Sequence, residues 1–103
     1  MNSVQHQAVL KQADDGRLLL SGELSLVTVP VLLKQAQLQS DGEGEICIDL
    51  QDVQRADSAG VALLIEWRRM ARKQQRNIRF QNTPSQMLAI ARLSGVDELL
   101  SLS

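Results

Sequence analysis

Short strand-like segments alternate with longer helix-like segments along these 103 residues. We predict strands at residues 7–13, 17–21, 45–50 and 77–81, and helices at residues 28–40, 58–75 and 83–94. Strands joined through helices favour a parallel sheet, to which the first two strands add an antiparallel N-terminal hairpin. We expect one α/β domain, residues 1–103, with a mixed, mostly parallel sheet of four to five strands packed by about three helices.

Local signals support this order. An Asp-Gly pair at Asp15 suits the tight turn of the hairpin, because glycine adopts positive backbone angles without a steric penalty. The apolar run 18–20 predicts a strand covered on both faces. Thr28 is expected to cap the first helix, and residues 83–86 to form a capping box with Pro84 at the first helical position. Residues 99–102 are expected to add a last strand or to pack as a tail.

Inner faces are assigned by helical spacing. In the first helix the spacing selects Val29, Leu32, Leu33 and Ala36, and in the last it selects Met87, Ile90, Ala91 and Ser94, with Gly95 as the stop. Trp67, Met70 and Met87 are predicted to fill the core. Cys47 is predicted to be a small buried strand residue, and Asp49 to tether the loop that follows its strand.

Composition excludes several classes of function. The formal net charge is −1, and Trp67 and Phe80 are the only aromatic residues, so nucleic-acid binding is not expected. The single cysteine, Cys47, excludes an intramolecular disulfide and a cysteine-based zinc cluster. The N-terminus lacks the pattern of a signal peptide, and the longest apolar run, residues 61–65, is too short to cross a bilayer. We expect a cytoplasmic protein without direct membrane insertion, metal or cofactor.

The stretch RADSAGVALLIEW, residues 55–67, poses the functional question. Ser58 stands at the entrance to an apolar segment. As a nucleophile it needs a base, yet His6 is the only histidine. The G-x-S-x-G elbow is also absent, because Ala56 occupies the place of its first glycine. A catalytic serine is therefore not expected.

Asp57 or Ser58 can instead cap a helix, and Gly60 permits a close approach to its first turn. A cap does not explain why the helix is apolar nearly all round. One face is expected to pack on the sheet and another to meet a partner protein. A phosphate on Ser58 would be favoured by the helix dipole but would disrupt a close apolar interface. A phosphorylation switch and an unmodified docking point both remain open.

The second half of this helix carries a basic group: Arg68, Arg69, Arg72, Lys73 and Arg76. Cations near a helix C-terminus are stabilised by the helix dipole, so a solvated helix end is the favoured interpretation. Contact with a partner or with lipid headgroups is the alternative.

Four segments carry a resemblance to a known family: SGEL (21–24), ICIDL (46–50), ADSAGVALLIE (56–66) and TPSQMLAIARLSGVDELL (83–100). In this order, over nearly the whole chain, the sequence resembles STAS domains, which occur in sulfate transporters and anti-anti-sigma factors. The resemblance implies the STAS fold and a regulatory, non-enzymatic protein.

Two branches of the family are relevant. Anti-anti-sigma factors typically carry D-S-S-G, whose first serine is phosphorylated by a partner kinase; Ser58 matches that serine, but Ala59 replaces the second. The STAS subunit of Mla-type phospholipid ABC transporters, which maintain outer-membrane lipid asymmetry, carries D-T-A-G-[LV]-A-L-L, and residues 57–64 are similar to it. Many STAS proteins follow GEL with Asp, whereas Ser25 stands here.

The transporter branch is the closer resemblance. It implies a subunit that binds the cytoplasmic ATPase and is peripheral at the inner membrane. The implied contacts are Ser58 with Asp57, Ala59, Gly60, Val61, Ala62 and Ile65, and positions 58, 61, 62 and 65 share one helical face. The alternative is an anti-anti-sigma factor regulated through phosphorylation of Ser58 by a serine kinase.

Overall fold

The computed structural model describes residues 7–35 and 44–102. The strands are β1 (Ala8–Gln12), β2 (Leu18–Leu24), β3 (Ile46–Ala56) and β4 (Ile78–Gln81). The helices are α1 (Val29–Gln35), α2 (Ser58–Lys73), α3 (Ser85–Leu93) and α4 (Asp97–Leu100). The four strands form one sheet in the order β1-β2-β3-β4, in which β1 and β2 are antiparallel and the other two pairs are parallel. The predicted α/β class and the N-terminal hairpin are confirmed.

The core lies on one face of the sheet. Side chains at alternate positions of the strands are buried there, including Leu20, Ile48 and Phe80, and α2 adds Leu64 and Trp67. Leu19, between two buried leucines, is only half-buried. The prediction that this strand is covered on both faces is therefore wrong, because the side chain of Leu19 remains partly accessible to solvent.

Strand β3 runs to Ala56, although residues 51–57 were predicted to be a link. It stays paired because β2 also extends, to Leu24, which pairs with Ala56. Two register shifts interrupt this parallel ladder. The four polar residues of the extension are exposed: Gln51, Asp52, Gln54 and Arg55. Because of this extension, Asp57 is the only residue between β3 and α2.

Asp49 ties three segments together from a buried position in the sheet. Its carboxylate accepts hydrogen bonds from Arg17 Nη1 at 3.1 Å, Asn82 Nδ2 at 3.1 Å and the Gln51 backbone N–H at 2.9 Å. It therefore holds the hairpin and the segment after β4 as well as Gln51, which follows it as predicted but belongs to β3 instead of a loop. Cys47 is half-buried, and burial raises the pKa of its thiol.

The start of α3 differs from the predicted capping box. The helix begins at Ser85, Pro84 occupies the N-cap, and there is no side-chain cap hydrogen bond. Gln86, the glutamine of the expected box, accepts a hydrogen bond from the Ala56 backbone N–H at 3.2 Å instead. The Thr83 hydroxyl is buried without a hydrogen-bond partner among the described residues. A long-range contact to β3 has replaced the local cap.

The remaining differences concern ends of elements. Met87 and Ala91 face the core and Ile90 packs against it, but Ser94 is exposed. Gly95 follows α3 with φ of +72°, which confirms the predicted stop. Residues 97–100 form α4, so the alternative of a last strand is wrong, and Leu100 packs in the core as the alternative of a packed tail predicted. The described residues do not include His6, Ala36 or the predicted end of the first helix near residue 40.

Candidate partner-binding site at the start of helix α2

The first turn of α2 is fixed by Asp57. Its Oδ1 accepts a hydrogen bond from the Ala59 backbone N–H at 2.8 Å, so Asp57 is the N-cap and Ser58 is the first helical residue. The Asp57 backbone N–H donates to the Leu24 carbonyl oxygen at 3.2 Å. A side-chain cap of this kind satisfies one of the free N–H groups of a helix start. The capping role left open between Asp57 and Ser58 thus belongs to Asp57.

Ser58 is exposed, and its side chain makes no hydrogen bond to the residues that the structure describes. It stands at the start of a helix of 16 residues, where the helix dipole favours negative charge. The hydroxyl is therefore accessible both to a docking protein and to a kinase.

Gly60 and Val61 turn inward. A Cβ atom on Gly60 would lie 3.1 Å from Leu24 Cβ and 3.2 Å from Ala56 Cβ. The close approach that this glycine permits is therefore to the protein's own sheet. Val61 is only 4% exposed and belongs to the core. Both residues were expected to contact the partner, but the structure removes them from the exposed surface because this side of the first turn packs on β2 and β3.

Ala59, Ala62 and Ile65 complete the predicted set. Ala62 is exposed, while Ala59 and Ile65 are half-buried and pack against the core. The exposed part of the predicted surface therefore runs from Asp57 and Ser58 to Ala62, with Ala59 and Ile65 at its margin.

An apolar groove continues this surface. It lies between α1 and α2, has a volume of about 400 Å³, and is lined by Val29, Leu33, Ala62, Leu63, Glu66 and Met70. Ala62 thus belongs both to the predicted surface and to the wall of the groove. Because alanine is small, it leaves room for a side chain of a partner to enter there.

Exposed aliphatic residues flank the other side of α1. Leu26 is 81% exposed and Val27 64% exposed, in the turn between β2 and α1, and Val31 is exposed on α1 itself. Val27 and Val31 line a second groove of about 400 Å³ together with Val9 of β1. These residues were not predicted from the sequence to be part of the site. The sequence carries a signal for them, because the segment LVTVPV (26–31) has apolar residues outside the helical spacing that selects the buried face of the first helix.

The turn that presents Leu26 and Val27 is held rigidly. The Ser25 hydroxyl oxygen accepts hydrogen bonds from the backbone N–H groups of Val27 at 3.1 Å and Thr28 at 3.4 Å. Thr28 is buried, and its hydroxyl donates to the Glu23 carbonyl oxygen at 2.8 Å. Ser25 therefore supplies the side-chain acceptor that an aspartate supplies in such turns. Thr28 directly precedes α1, but its hydroxyl bonds back into the turn instead of capping the helix.

A polar cleft joins this turn to the start of α2. Its volume is about 340 Å³, and Ser25, Arg55, Asp57 and Gln86 are among its lining residues. The ends of β2 and β3 form its floor. The turn after β2 and the first residues of α2 therefore lie side by side at the carboxyl ends of two parallel strands, where functional sites of α/β sheets gather.

The sequence that forms this arrangement matches a family model over most of its length. Residues 8–101 match the model described as "Mlab, STAS domain". The chain belongs to the STAS domain family, as the sequence motifs predicted.

Three curated relatives are similar over most of their length. The chain is 36% identical over 77 residues to the "Intermembrane phospholipid transport system binding protein MlaB" of Escherichia coli (strain K12), a match that covers 74% of this chain and 76% of that protein. The protein of the same name in Shigella flexneri matches with the same values. The "Anti-sigma-B factor antagonist" of Bacillus subtilis (strain 168) is 21% identical over 95 residues, which cover 92% of this chain and 87% of that protein. Both branches of the predicted resemblance are thus represented.

Proposed function

We propose that the chain is a non-catalytic accessory subunit of an Mla-type phospholipid ABC transporter, and that it binds the cytoplasmic ATPase of that transporter. The similarity to two MlaB proteins at 36% identity supports a role with such a system. In this proposal the protein is cytoplasmic and becomes peripheral at the inner membrane through the complex. It contributes to lipid asymmetry without contacting lipid through the start of α2.

One observation carries the proposal. The exposed residues Ser58 and Ala62 lie beside an apolar groove, and the adjoining turn exposes Leu26 and Val27. Interfaces combine an apolar centre with a polar rim, and this surface offers both. Ser58 and Asp57 would form the rim, and Ala62 with the groove would form the centre.

A non-catalytic role is favoured by the chemistry around Ser58. Activation of a serine requires a neighbouring base. No histidine lies within the described residues, and no group of three or more histidine, cysteine, aspartate or glutamate side chains there could hold a metal ion. No helix in that part of the chain has the length and apolar character needed to cross a membrane.

The test is a pull-down of the ATPase from the native host with Ser58→Asp as bait. A carboxylate at this position adds a charge directly beside the apolar centre of the contact, where docking of the partner would desolvate it, so we expect capture to fall about tenfold or more. Ser85→Asp is the matched control, because Ser85 is also the exposed first residue of a helix. Capture that survives Ser58→Asp, or falls equally with Ser85→Asp, would remove Ser58 from the interface.

A second candidate function is favoured by the exposure of the Ser58 hydroxyl at a helix start. In an antagonist of an anti-sigma factor, this serine would accept phosphate from a serine kinase. The similarity to the Bacillus subtilis antagonist, at 21% identity, supports it more distantly. Phosphorylation of the wild type but not of Ser58→Ala in a host extract, together with capture of a serine kinase instead of an ATPase, would favour this function.

A further inference from the structure

The far end of α2 contains a basic pocket that the proposed function does not use. The pocket has a volume of about 430 Å³. Four arginines line it, from three parts of the chain: Arg68 and Arg72 on α2, Arg76 after it, and Arg79 on β4. With Glu45 as the acidic lining residue, the formal charge of the pocket is +3, whereas the whole chain carries −1.

The helix dipole does not explain this concentration. The stabilisation of cations by a helix C-terminus falls off within the last turn. It accounts for Arg72 and Lys73, the basic residues of that turn. Arg68 lies more than one turn from the end of α2, and Arg79 belongs to another element, yet both face the same pocket. A helix end that is merely solvated does not account for Arg79, which β4 contributes to the same pocket.

Two of these arginines are held at the rim by neighbouring groups. Arg76 Nε donates to the Gly44 carbonyl oxygen at 2.9 Å. Arg79 Nη1 lies 3.6 Å from Glu45 Oε1, a long and largely exposed ion pair. Arg68 and Arg72 make no hydrogen bond or ion pair to the residues described in the structure. Neighbouring groups thus position the guanidinium groups of Arg76 and Arg79. The guanidinium groups of Arg68 and Arg72 have N–H donors available for a ligand.

The rest of the pocket lining is mixed, with the polar residues Asn77 and Ser101 and an apolar part. Ile78 and the residues Leu99 and Leu100 of α4 form the apolar part, and Leu99 is exposed. Guanidinium groups bind phosphate oxygens through paired hydrogen bonds, and an apolar wall accommodates the organic part of a phosphate ester. The volume lies in the range typical of small-molecule sites.

We propose that this pocket binds a phosphate-bearing anion, either a soluble phosphate compound or the headgroup of an anionic phospholipid. The site is separate from the proposed partner surface. Ser58 and Arg72 are 14 residues apart on one helix, which places them about 21 Å apart along its axis. Failure of one proposal therefore leaves the other intact.

The experiment measures binding of two probes to the full chain. Inorganic pyrophosphate is titrated by calorimetry, and vesicles of phosphatidylglycerol are compared with vesicles of phosphatidylcholine by co-sedimentation. The pocket variant is Arg68→Gln/Arg72→Gln. The matched control is Arg69→Gln/Arg92→Gln, which removes the same charge from exposed helical residues outside the pocket. Circular dichroism and thermal melting verify that both variants are folded.

We expect the pocket variant to lose about tenfold or more in affinity and the control to stay within about twofold. Pyrophosphate binding with this pattern assigns the site to soluble phosphate compounds. Binding of phosphatidylglycerol vesicles alone, with the same pattern, assigns it to a lipid headgroup. Equal losses in both variants, or no binding of either probe by the wild type, would overturn the proposal.

Discussion

The two ends of helix α2 present different kinds of surface to a binding partner or ligand. At its start, Asp57 caps the backbone, Gly60 packs against β2 and β3, and the exposed residues Ser58 and Ala62 are uncharged. At its end, arginines from the helix and from β4 gather around one pocket. The first end offers shape and apolar surface, whereas the second offers charge.

The middle of the helix makes this division possible. Leu63, Leu64 and Trp67 are fully buried and anchor α2 in the core. Burial of side chains of this size stabilises the fold by roughly 1.5–3 kcal/mol each. With the helix held by its centre, surface changes at either end are expected to leave the fold intact. Stability and binding are therefore expected to be separable along this one helix.

Gly60→Val is expected to have the largest effect of the predicted changes. The added atoms would press into Leu24 and Ala56, so the free energy of unfolding should fall by about 1–3 kcal/mol. Arg72→Val, at the exposed far end, should change it by no more than about 0.5 kcal/mol. Urea denaturation of both variants measures the difference. A Gly60→Val protein as stable as the wild type would mean that the helix start is not packed as tightly as the sheet contacts indicate.

Asp57→Ala is expected to have an intermediate effect. It removes the acceptor for the Ala59 N–H and should lower the free energy of unfolding by about 1 kcal/mol. Asp57→Asn retains a side-chain oxygen at the same place and should retain most of the stability. Thermal melting compares the two variants. Equal losses from both would indicate that the charge of Asp57, rather than its hydrogen bond, stabilises the helix start.

Added salt is expected to weaken binding at one end of α2 much more than at the other, without any substitution in the protein. Raising ionic strength from about 0.05 to 0.5 M shortens the screening length severalfold. Pyrophosphate binding at the basic pocket should weaken by about tenfold or more, while ATPase binding at the start of α2 should change by less than about threefold. Titrations at the two salt concentrations measure both. Partner binding that weakens as steeply as anion binding would contradict an apolar interface.

The sequence predicted α2 well because its signals are local. A capping aspartate, the apolar residues after Gly60 and the charged second half define the helix from Ser58 to Lys73 without reference to the rest of the chain. The extension of β3 was missed for the converse reason. Residues 51–56 are largely polar, and only their pairing with β2, through Asp52, Val53, Arg55 and Ala56, distinguishes this strand from a loop.

The exposure of the candidate site residues was predicted in part. Ser58 and Ala62 are exposed as a docking surface requires, but helical spacing alone could not show that Val61 turns into the core. Leu26 and Val27 were missed although they lie outside the helical spacing of the buried face, and the turn that Ser25 stabilises presents them to solvent. Arg79 joins the α2 arginines only through the placement of β4 beside β3, which no spacing along the helix could indicate.

The most direct measurement is calorimetric titration of the purified ATPase subunit with Ala62→Glu. Ala62 is exposed and lines the groove between α1 and α2. A carboxylate there should weaken binding by about tenfold or more, or about 1.4 kcal/mol. Ala89→Glu, at an exposed alanine of α3, should bind like the wild type. Wild-type affinity in Ala62→Glu, or no ATPase binding by the wild-type protein, would contradict the assignment of this surface to the transporter ATPase.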